Sequence, residues 1–284
     1  MPLGLWRGSL VLNLKMSELR VLKIGGSVIT NKSKEETPKP DQMRRISEEV
    51  KRSGVSKLVL IHGAGSFGHP QAKKYFESKD VRDALKTHAA VKRLNGMFLE
   101  ALSDVGLEVV PVHPMSCAVM RGGVLRTMSL EPVRLALTKR VIPVLHGDIC
   151  LDELRGFSIL SGDEILVHVA AAFKASKAGA GVREDGVFAK QDSKIYMLRE
   201  ITPSNFEALR PEIEEFERFL LSESVATAAA EEHDVTGRML SKVERLLGLA
   251  TAHSVPSLIF NAEKEGNVLK FLRGEKVLGT VVSP

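Results

Sequence analysis

Lys23 lies in a short apolar run and is followed closely by glycines, a combination that suits the binding of phosphate groups. The run Val21–Thr30 continues from the lysine into Gly25, Gly26 and Ser27. Glycines at the end of a buried strand let backbone N–H groups approach an anion closely, because no Cβ stands in the way. A buried lysine needs an anionic partner, so a structural ion pair is the alternative explanation. Phosphoryl transfer depends on positioning and charge neutralisation, which this run can supply.

Three further segments combine the end of a strand or the start of a helix with glycine and polar side chains. They are Leu58–Pro70, Val141–Asp148 and Ser161–Glu164. Ser161 is placed to cap the apolar helix that follows it, and a helix N-terminus attracts anions. Several glycine-rich strand ends in one α/β chain predict a shared ligand crevice at the carboxyl edge of a sheet. None of these segments matches a P-loop or a dinucleotide-binding fingerprint, which favours phosphate binding on another scaffold.

The elements that must position these segments follow from the alternation of strand and helix patterns. This alternation predicts a mostly parallel sheet with helices on both faces. Asp41 is placed to cap a helix that ends at Gly54, and residues 31–40 read as a polar loop. Residues 149–160 predict a small hairpin, whereas 179–182 has only weak strand character. The other expected strands lie near 20–24, 57–62, 108–112, 141–145, 257–260 and 277–282, and the main helices near 81–104, 131–140, 163–174, 211–232 and 237–252.

Composition limits the class of protein. The 284 residues suffice for one large α/β domain or two modest ones, and we predict one folding unit whose two lobes meet near residue 161. The net charge of +5 fits either a lysine-rich surface or a field that attracts anionic substrates. Scattered basic residues and 5% aromatics argue against nucleic-acid binding. No apolar stretch is long enough to span a membrane, so no membrane association is expected.

The cysteines and the start of the chain bear on its compartment. Cys117 and Cys150 form neither a Cys-x-x-Cys motif nor a disulfide framework, which indicates a reducing, cytoplasmic setting. Residues 1–15 include an apolar run that is too short for a secretory signal, and it lacks a clear cleavage site. They are expected to be a mis-annotated leader or a floppy arm.

Five motifs, taken in their order along the chain, resemble the isopentenyl phosphate kinase family of the archaeal mevalonate route, within the amino acid kinase superfamily. They are Lys23–Lys32, His62–His69, Gly147–Asp148, Phe157–Asp163 and Asp234–Gly237. The resemblance covers about residues 20–282, and the run His62-Gly-Ala-Gly-Ser-Phe-Gly-His69 is its most specific part. The Lys-x-Gly-Gly-Ser motif alone would reach only the superfamily.

The resemblance implies a three-layer αβα sandwich with a mostly parallel central sheet. It implies one amino acid kinase domain over 20–284, with an acceptor-binding lobe at 20–160 and a nucleotide-binding lobe at 161–284. Residues 1–19 would then be an N-terminal extension. The implied substrates are isopentenyl phosphate and ATP, with Mg²⁺ carried on the nucleotide, and the implied assembly is a homodimer.

The same resemblance implies roles for residues at the nucleotide phosphates. Lys23 would bridge the nucleotide phosphates and the transferred group, and Lys32 would neutralise charge that builds up in the transition state. The remaining residues of this group would contact ATP through backbone N–H groups, and they are Gly25, Gly26, Ser27 and Gly65. Asp148 would orient the catalytic lysines.

Further roles implied by the resemblance concern the acceptor. Ala64, His69 and the backbone of Gly162 would contact it, and an imidazole is suited to binding its phosphate near neutral pH. His62 is expected to be a packing residue, and Asp163 a helix cap. The helix at 81–104 is a candidate wall for the prenyl tail, through Met97, Phe98 and Leu102, although core packing is an alternative role for them.

The chain departs from the family pattern at two places in the nucleotide half. Arg183 stands where the family has an aspartate, and Arg238 stands in place of the second glycine of Thr-Gly-Gly-Met. Lys242, four residues after Arg238, is kept. Each arginine would either bind phosphate or close the site. The two arginines leave open a non-catalytic binding protein. The superfamily also leaves open the same fold acting on another small acceptor (a nucleoside monophosphate, a carboxylate, carbamate or fosfomycin).

Overall fold

The computed structural model describes residues 18–226 and 239–284, so Arg238 and the motif Asp234–Gly237 lie outside the described residues, as does the segment 1–15. The strands of this part are β1 (Arg20–Ile24), β2 (Leu58–His62), β3 (Val109–Pro111), β4 (Ala118–Arg121), β5 (Val124–Met128), β6 (Ile142–His146), β7 (Asp148–Asp152), β8 (Gly156–Leu160), β9 (Lys177–Val182), β10 (Val187–Gln191), β11 (Lys194–Leu198), β12 (Glu200–Ile201), β13 (Ser257–Asn261) and β14 (Gly279–Val282). Its helices are α1 (Gly26–Ile29), α2 (Pro40–Ser53), α3 (His69–Ser78), α4 (Val81–Asp104), α5 (Pro114–Cys117), α6 (Glu131–Thr138), α7 (Gly162–Ala172), α8 (Pro203–Ala226), α9 (Met239–His253) and α10 (Asn267–Arg273).

Eight strands of the described residues form the central sheet, in the order β12-β14-β13-β9-β1-β2-β6-β3. Its neighbouring pairs are parallel except for β13 with β14, so the predicted mostly parallel sheet is confirmed. The weak segment 179–182 belongs to β9, which pairs on both sides, with β1 and β13. Gly179 suits this position because a Cβ there would lie 2.4 Å from the ring of Phe271 in α10.

Alternate residues of the central strands pack into two different cores, as the period of two in a strand requires. Val21 and Ile61 join the core formed with α7, α8 and α9. Leu22 and Leu60 join the core formed with α2, α4 and α10. The sheet therefore lies between two helical layers, and the predicted αβα sandwich is confirmed.

The ends of α2 show where local sequence signals succeed and fail. Gly54 adopts a left-handed φ of 67° and donates its N–H to the carbonyl of Lys51, as the predicted helix end requires. At the start, the helix begins at Pro40 and has no side-chain cap, so the prediction that Asp41 caps it is wrong. Proline fits a first helical position because its missing N–H needs no partner there.

The predicted hairpin at 149–160 is confirmed as β7 and β8, which pair antiparallel. Together with β4 and β5 it forms a four-stranded sheet in the described part of the chain. The β4–β5 pair was not predicted from the sequence. Within residues 18–226 and 239–284, no helix combines the length and the apolarity that crossing a membrane would need.

Candidate functional site

The carboxyl ends of the central strands open into a cleft of about 780 Å³. Ligand crevices of open α/β sheets are expected at this edge, where connections leave neighbouring strands in opposite directions. The described residues that were predicted for the site all line the cleft, and they are Lys23, Gly25, Gly26, Ser27, Lys32, Ala64, Gly65, His69, Asp148, Gly162, Arg183 and Lys242. Segments that follow five different strands, together with α9, thus contribute to one cavity.

The glycine that follows β1 has a different use from the one predicted. The N–H of Gly25 donates to the carbonyl of Gly181 at 2.7 Å, which extends the ladder between β1 and β9. The glycines after β2 and β6 donate to the neighbouring strand in the same way. The N–H of Gly25 is therefore not directed at a ligand, and that part of the prediction is wrong. Gly26 and Ser27 are the first residues of α1, where N–H groups have no partner within the helix. They remain the predicted phosphate contacts.

The first two glycine-rich turns approach each other as closely as backbone atoms allow. A Cβ on Gly26 would lie 2.3 Å from the backbone nitrogen of Gly65. A Cβ on Gly65 would lie 2.1 Å from Oγ1 of Thr30, and Gly65 has a φ of 52°. Only glycine fits both positions. This contact brings the turn after β1 and the turn after β2 to the same part of the cleft.

One carboxylate holds two lysines at the floor of the cleft. Nζ of Lys23 lies 3.1 Å from Oδ1 of Asp163, and Nζ of Lys242 lies 2.6 Å from its Oδ2. Both lysines are buried, and Asp163 stands in the first turn of α7. The interpretation of Asp163 as only a helix cap is therefore wrong. The cap is Ser161, which forms the predicted cap and a full capping box with Glu164.

Burial and charge act against each other in this cluster. Burial lowers the pKa of Lys23 to about 8, against the attraction of Asp163. Burial alone would raise the pKa of Asp163, but the ammonium groups of Lys23 and Lys242 outweigh it and hold that pKa well below its ordinary value. Asp163 is therefore ionised near neutral pH, and it supplies the anionic partner that a buried Lys23 requires.

Asp148 has a different partner. Its Oδ2 accepts a hydrogen bond from Nδ1 of His88 at 2.8 Å, and its Oδ1 accepts from the N–H of Ile149. The prediction that Asp148 orients the catalytic lysines is therefore wrong for Lys23, whose carboxylate partner is Asp163. Burial raises the pKa of Asp148, and the hydrogen bond from His88 opposes this shift. His88 was interpreted as an ordinary histidine, because nothing in its local sequence points to a partner sixty residues away.

His62 is a packing residue with a satisfied ring, as predicted. It is fully buried, its Nδ1 donates to the carbonyl of Gly63 at 3.0 Å, and its Nε2 accepts from the side-chain amide of Asn95. Burial lowers its pKa to about 4, so the ring is neutral at physiological pH. The ring of His146 stacks on the ring of His62, and its Nδ1 lies 3.2 Å from the carbonyl oxygen of Gly147.

The apolar part of the cleft differs from the predicted one. Phe98 and Leu102 are fully buried in the core, and Met97 lies on the surface away from the cleft, so these residues are not its wall. The wall is formed instead by residues of α4 that precede Met97, together with residues of α3, β7 and β8. These lining residues are Ala72, Thr87, Val91, Ile149 and Ile159. A second apolar group comes from β10, α8 and α9, and includes Phe188, Ile213, Phe216, Leu220 and Met239.

Arg183, which departs from the family pattern, lies at the cleft in an ionic chain. Its Nε is 3.6 Å from Oε2 of Glu263. Oε1 of Glu263 accepts a hydrogen bond from Nζ of Lys39 at 2.8 Å, and Lys39 also donates to the carbonyl of Ser27 at 3.0 Å. This chain joins the ends of β9 and β13 to the turn after β1.

The chain is similar to known proteins over most of its length. A model of the amino acid kinase family matches residues 18–261. The isopentenyl phosphate kinase of Methanothermobacter thermautotrophicus is 31% identical over 276 residues, which cover 93% of this chain and 98% of that protein. The isopentenyl phosphate kinase of Haloferax volcanii is 32% identical with the same coverage. A crystal structure of isopentenyl phosphate kinase is 29% identical, has a TM-score of 0.77, and is matched over its whole length by 94% of this chain.

Proposed function

The chain belongs to the amino acid kinase family, and we propose that it transfers the γ-phosphoryl group of ATP to isopentenyl phosphate, giving isopentenyl diphosphate and ADP. The relatives named above as isopentenyl phosphate kinases are matched over nearly their whole length. The observation that carries the proposal is the shared cleft, in which Lys23 and Lys32 line the same cavity as His69. One cavity thus offers cationic and hydrogen-bonding groups to two phosphorylated molecules.

The proposed reaction is a direct displacement. An oxygen of the acceptor phosphate attacks the γ-phosphorus in line, a new P–O bond forms, and the bond to the bridging oxygen of ADP breaks. A phosphate oxygen is already a nucleophile at neutral pH, so no general base is required. Lys23 and Lys32 would neutralise the charge on the transferring group, while Asp163 keeps Lys23 in place.

We propose that the acceptor lies against the lobe of residues 20–160. The imidazole of His69 would bind its phosphate together with the backbone of Ala64 and of Gly162, which begins α7. The apolar lining from α3, α4, β7 and β8 offers the prenyl tail an apolar environment in the same cleft. A short branched tail gains roughly 0.8 kcal/mol for each CH₂ group that leaves water.

The nucleotide would lie against the lobe of residues 161–284. Its phosphates would be bound by the N–H groups of Gly26, Ser27 and Gly65 and by the side chain of Lys242. Arg183 would reach them by exchanging Glu263 for a phosphate oxygen, since arginine binds both anions through the same planar group.

Mg²⁺ is expected to arrive with the nucleotide. Among the described residues, no group of three or more acidic, histidine or cysteine side chains is arranged to hold a metal ion. Asp163 itself is already engaged by two lysines. We propose that the ion is bound chiefly by the phosphate oxygens of ATP and by water, as Mg²⁺ prefers. It would neutralise charge on the phosphates.

The proposal is tested by ADP release in a coupled assay with ATP and isopentenyl phosphate. We expect rapid turnover with this acceptor and little with uridine monophosphate, carboxylates, carbamate or fosfomycin. Turnover with one of those acceptors and none with isopentenyl phosphate would refute the assignment. Calorimetry that shows acceptor binding without ATP binding would instead indicate a non-catalytic binding protein.

We further propose that the protein works in the cytoplasm as a homodimer. Cys117 and Cys150 carry free thiols, which fits a reducing compartment. The proposal of a dimer rests on the family resemblance alone. Light scattering of the purified chain measures its mass directly, and a monomer across the working concentration range would refute it.

A further inference from the structure

Two buried hydroxyl groups lie between the segments that carry the proposed catalytic residues. Oγ1 of Thr30 donates to the carbonyl of Gly26 at 2.8 Å and accepts from the N–H of Ser66 at 3.1 Å. Thr30 is fully buried and Ser66 is nearly so. The threonine thereby joins the turn after β1 directly to the turn after β2.

Ser66 continues this connection to the loop that carries Lys32. Its Oγ accepts from the N–H of Thr37 at 3.2 Å, and its carbonyl accepts from the N–H of Glu36 at 3.1 Å. The loop is closed on itself where the N–H of Asn31 donates to the carbonyl of Thr37 at 2.8 Å. Lys32 stands next to Asn31, inside the loop that these bonds fasten.

The arrangement leaves little freedom for one segment to move without the others. The same turns meet at Gly26 and Gly65, where a Cβ on either would lie 2.1–2.3 Å from the facing atom. Neither Thr30 nor Ser66 lines the cleft. Their hydroxyl groups therefore act on a bound substrate through neighbouring residues.

We infer that Thr30 and Ser66 are positioning residues for phosphoryl transfer, whose hydroxyl groups fix the loop of Lys32 relative to the turns that carry Gly26 and His69. The inference rests on the proposed function, because Lys32 and His69 are placed there on opposite reactants. In-line transfer depends on the position of Lys32 relative to His69, and a displacement of about 1 Å in a reacting group can cost roughly a hundredfold in rate.

Variants that remove one hydroxyl and keep the side-chain volume test the inference. For Thr30→Val and Ser66→Ala we expect kcat to fall by about 10- to 100-fold, while the KM for each substrate changes by less than about threefold. Thr30→Ser retains the hydroxyl and should recover most of the lost kcat. The matched control is Ser47→Ala, which removes a fully buried hydroxyl that donates to the carbonyl of Met43 within α2.

A double-mutant cycle separates positioning from general weakening of the fold. If Thr30 acts through Lys32, the kcat loss of Thr30→Val with Lys32→Met will be smaller than the product of the two single losses. A merely structural role gives independent losses, and Ser47→Ala would then reduce kcat to the same extent as Ser66→Ala. Independent losses, or kcat within twofold of wild type in both hydroxyl variants, would overturn the inference.

Hydrogen exchange tests, without any substrate, whether the Ser66 hydroxyl holds the loop of Lys32 in place. In Ser66→Ala, amides of residues 31–39 should exchange faster than in the wild type, and in Ser47→Ala they should not. Wild-type protein that turns over no acceptor would refute the proposed function, and the exchange result would still stand by itself. Unchanged exchange in Ser66→Ala would show that this hydroxyl does not hold the loop.

Discussion

At the scale of single residues, the site is organised by the carboxylate of Asp163, which pairs with two buried lysines. Asp163 binds Lys23 and Lys242 at once, so the two ammonium groups are held together before any nucleotide enters. Without the carboxylate, two buried positive charges would face each other. In the proposed complex, ATP phosphates would add negative charge to a cluster whose geometry is already set, which is the preorganisation that phosphoryl transfer requires.

Replacing this carboxylate should separate the lysines. For Asp163→Asn we expect kcat to fall by about a hundredfold or more and the free energy of unfolding to fall by about 3 kcal/mol, because two buried ammonium groups lose their counter-charge. Steady-state kinetics and urea unfolding measure the two effects. Asp148→Asn is the matched control: it should leave the affinity for ATP unchanged, since Asp148 binds His88 and not Lys23. Asp163→Asn should also weaken ATP binding, and equal effects of both variants on ATP affinity would contradict this assignment.

His69 should act on one substrate only. In His69→Ala we expect the KM for isopentenyl phosphate to rise by at least about tenfold, which corresponds to the loss of a charge-assisted hydrogen bond. The KM for ATP should change little. His253→Ala, at the exposed end of α9, is the control. An unchanged acceptor KM in His69→Ala would count against the role of this residue.

The lowered pKa of Lys23 predicts an alkaline limit to activity. Lys23 is protonated below its pKa of about 8 and loses its charge as the pH rises through that value. We therefore expect kcat/KM for ATP, which reports the free enzyme, to fall above about pH 8. Bound phosphates favour the ammonium form, so the decline in kcat itself should begin at higher pH. Residual activity in Lys23→Arg should lack this decline, and a flat wild-type profile from about pH 7.5 to 9.5 would contradict the role of Lys23.

At the scale of elements, the site is built where turns from separate strands pack backbone against backbone. The turn after β1 and the turn after β2 meet at Gly26 and Gly65, and the N-terminus of α7 joins them through Gly162. The first N–H beyond β1 is used by the sheet itself, at Gly25. The N–H groups that we propose as phosphate contacts are therefore those of the next residues, Gly26 and Ser27.

Gly26→Ala should disrupt this contact. The added Cβ would lie 2.3 Å from the backbone nitrogen of Gly65, so one turn must move. We expect kcat to fall by more than about a hundredfold. Gly96→Ala provides the matched control, because a Cβ in that part of α4 meets no atom within 4 Å. It should keep full activity and gain up to about 1 kcal/mol of stability. Comparable activities of the two variants would show that the close approach is not needed.

What the sequence predicts at this scale depends on how far apart the partners lie. Ser161 and Glu164 are three residues apart, so their capping box is a local pattern and was predictable in part. Asp163 stands between them, yet its partners come from β1 and α9, 140 residues before and 79 residues after it. No local pattern reports such a contact. For the same reason, the sequence did not predict the hydrogen bond from His88 to Asp148 or the one from the Gly25 N–H to β9.

At the scale of the whole molecule, the strand order creates the cleft. The predicted parallel sheet and αβα layers follow from the alternation of elements and from apolar runs such as Val21–Ile24. The order of the strands does not follow from them, and it places β1 between β9 and β2. That order brings the turn of Lys23 between the turn that carries His69 and the segment of Arg183.

Direct transfer between two substrates in this cleft is tested most directly with ATP labelled at its γ-phosphorus. On incubation with isopentenyl phosphate, we expect the label to appear in isopentenyl diphosphate, in amounts equal to the ADP released, and Lys23→Met to abolish the transfer. Label that appears only in inorganic phosphate, or that stays in ATP at every acceptor concentration, would contradict the proposed meeting of the two phosphates.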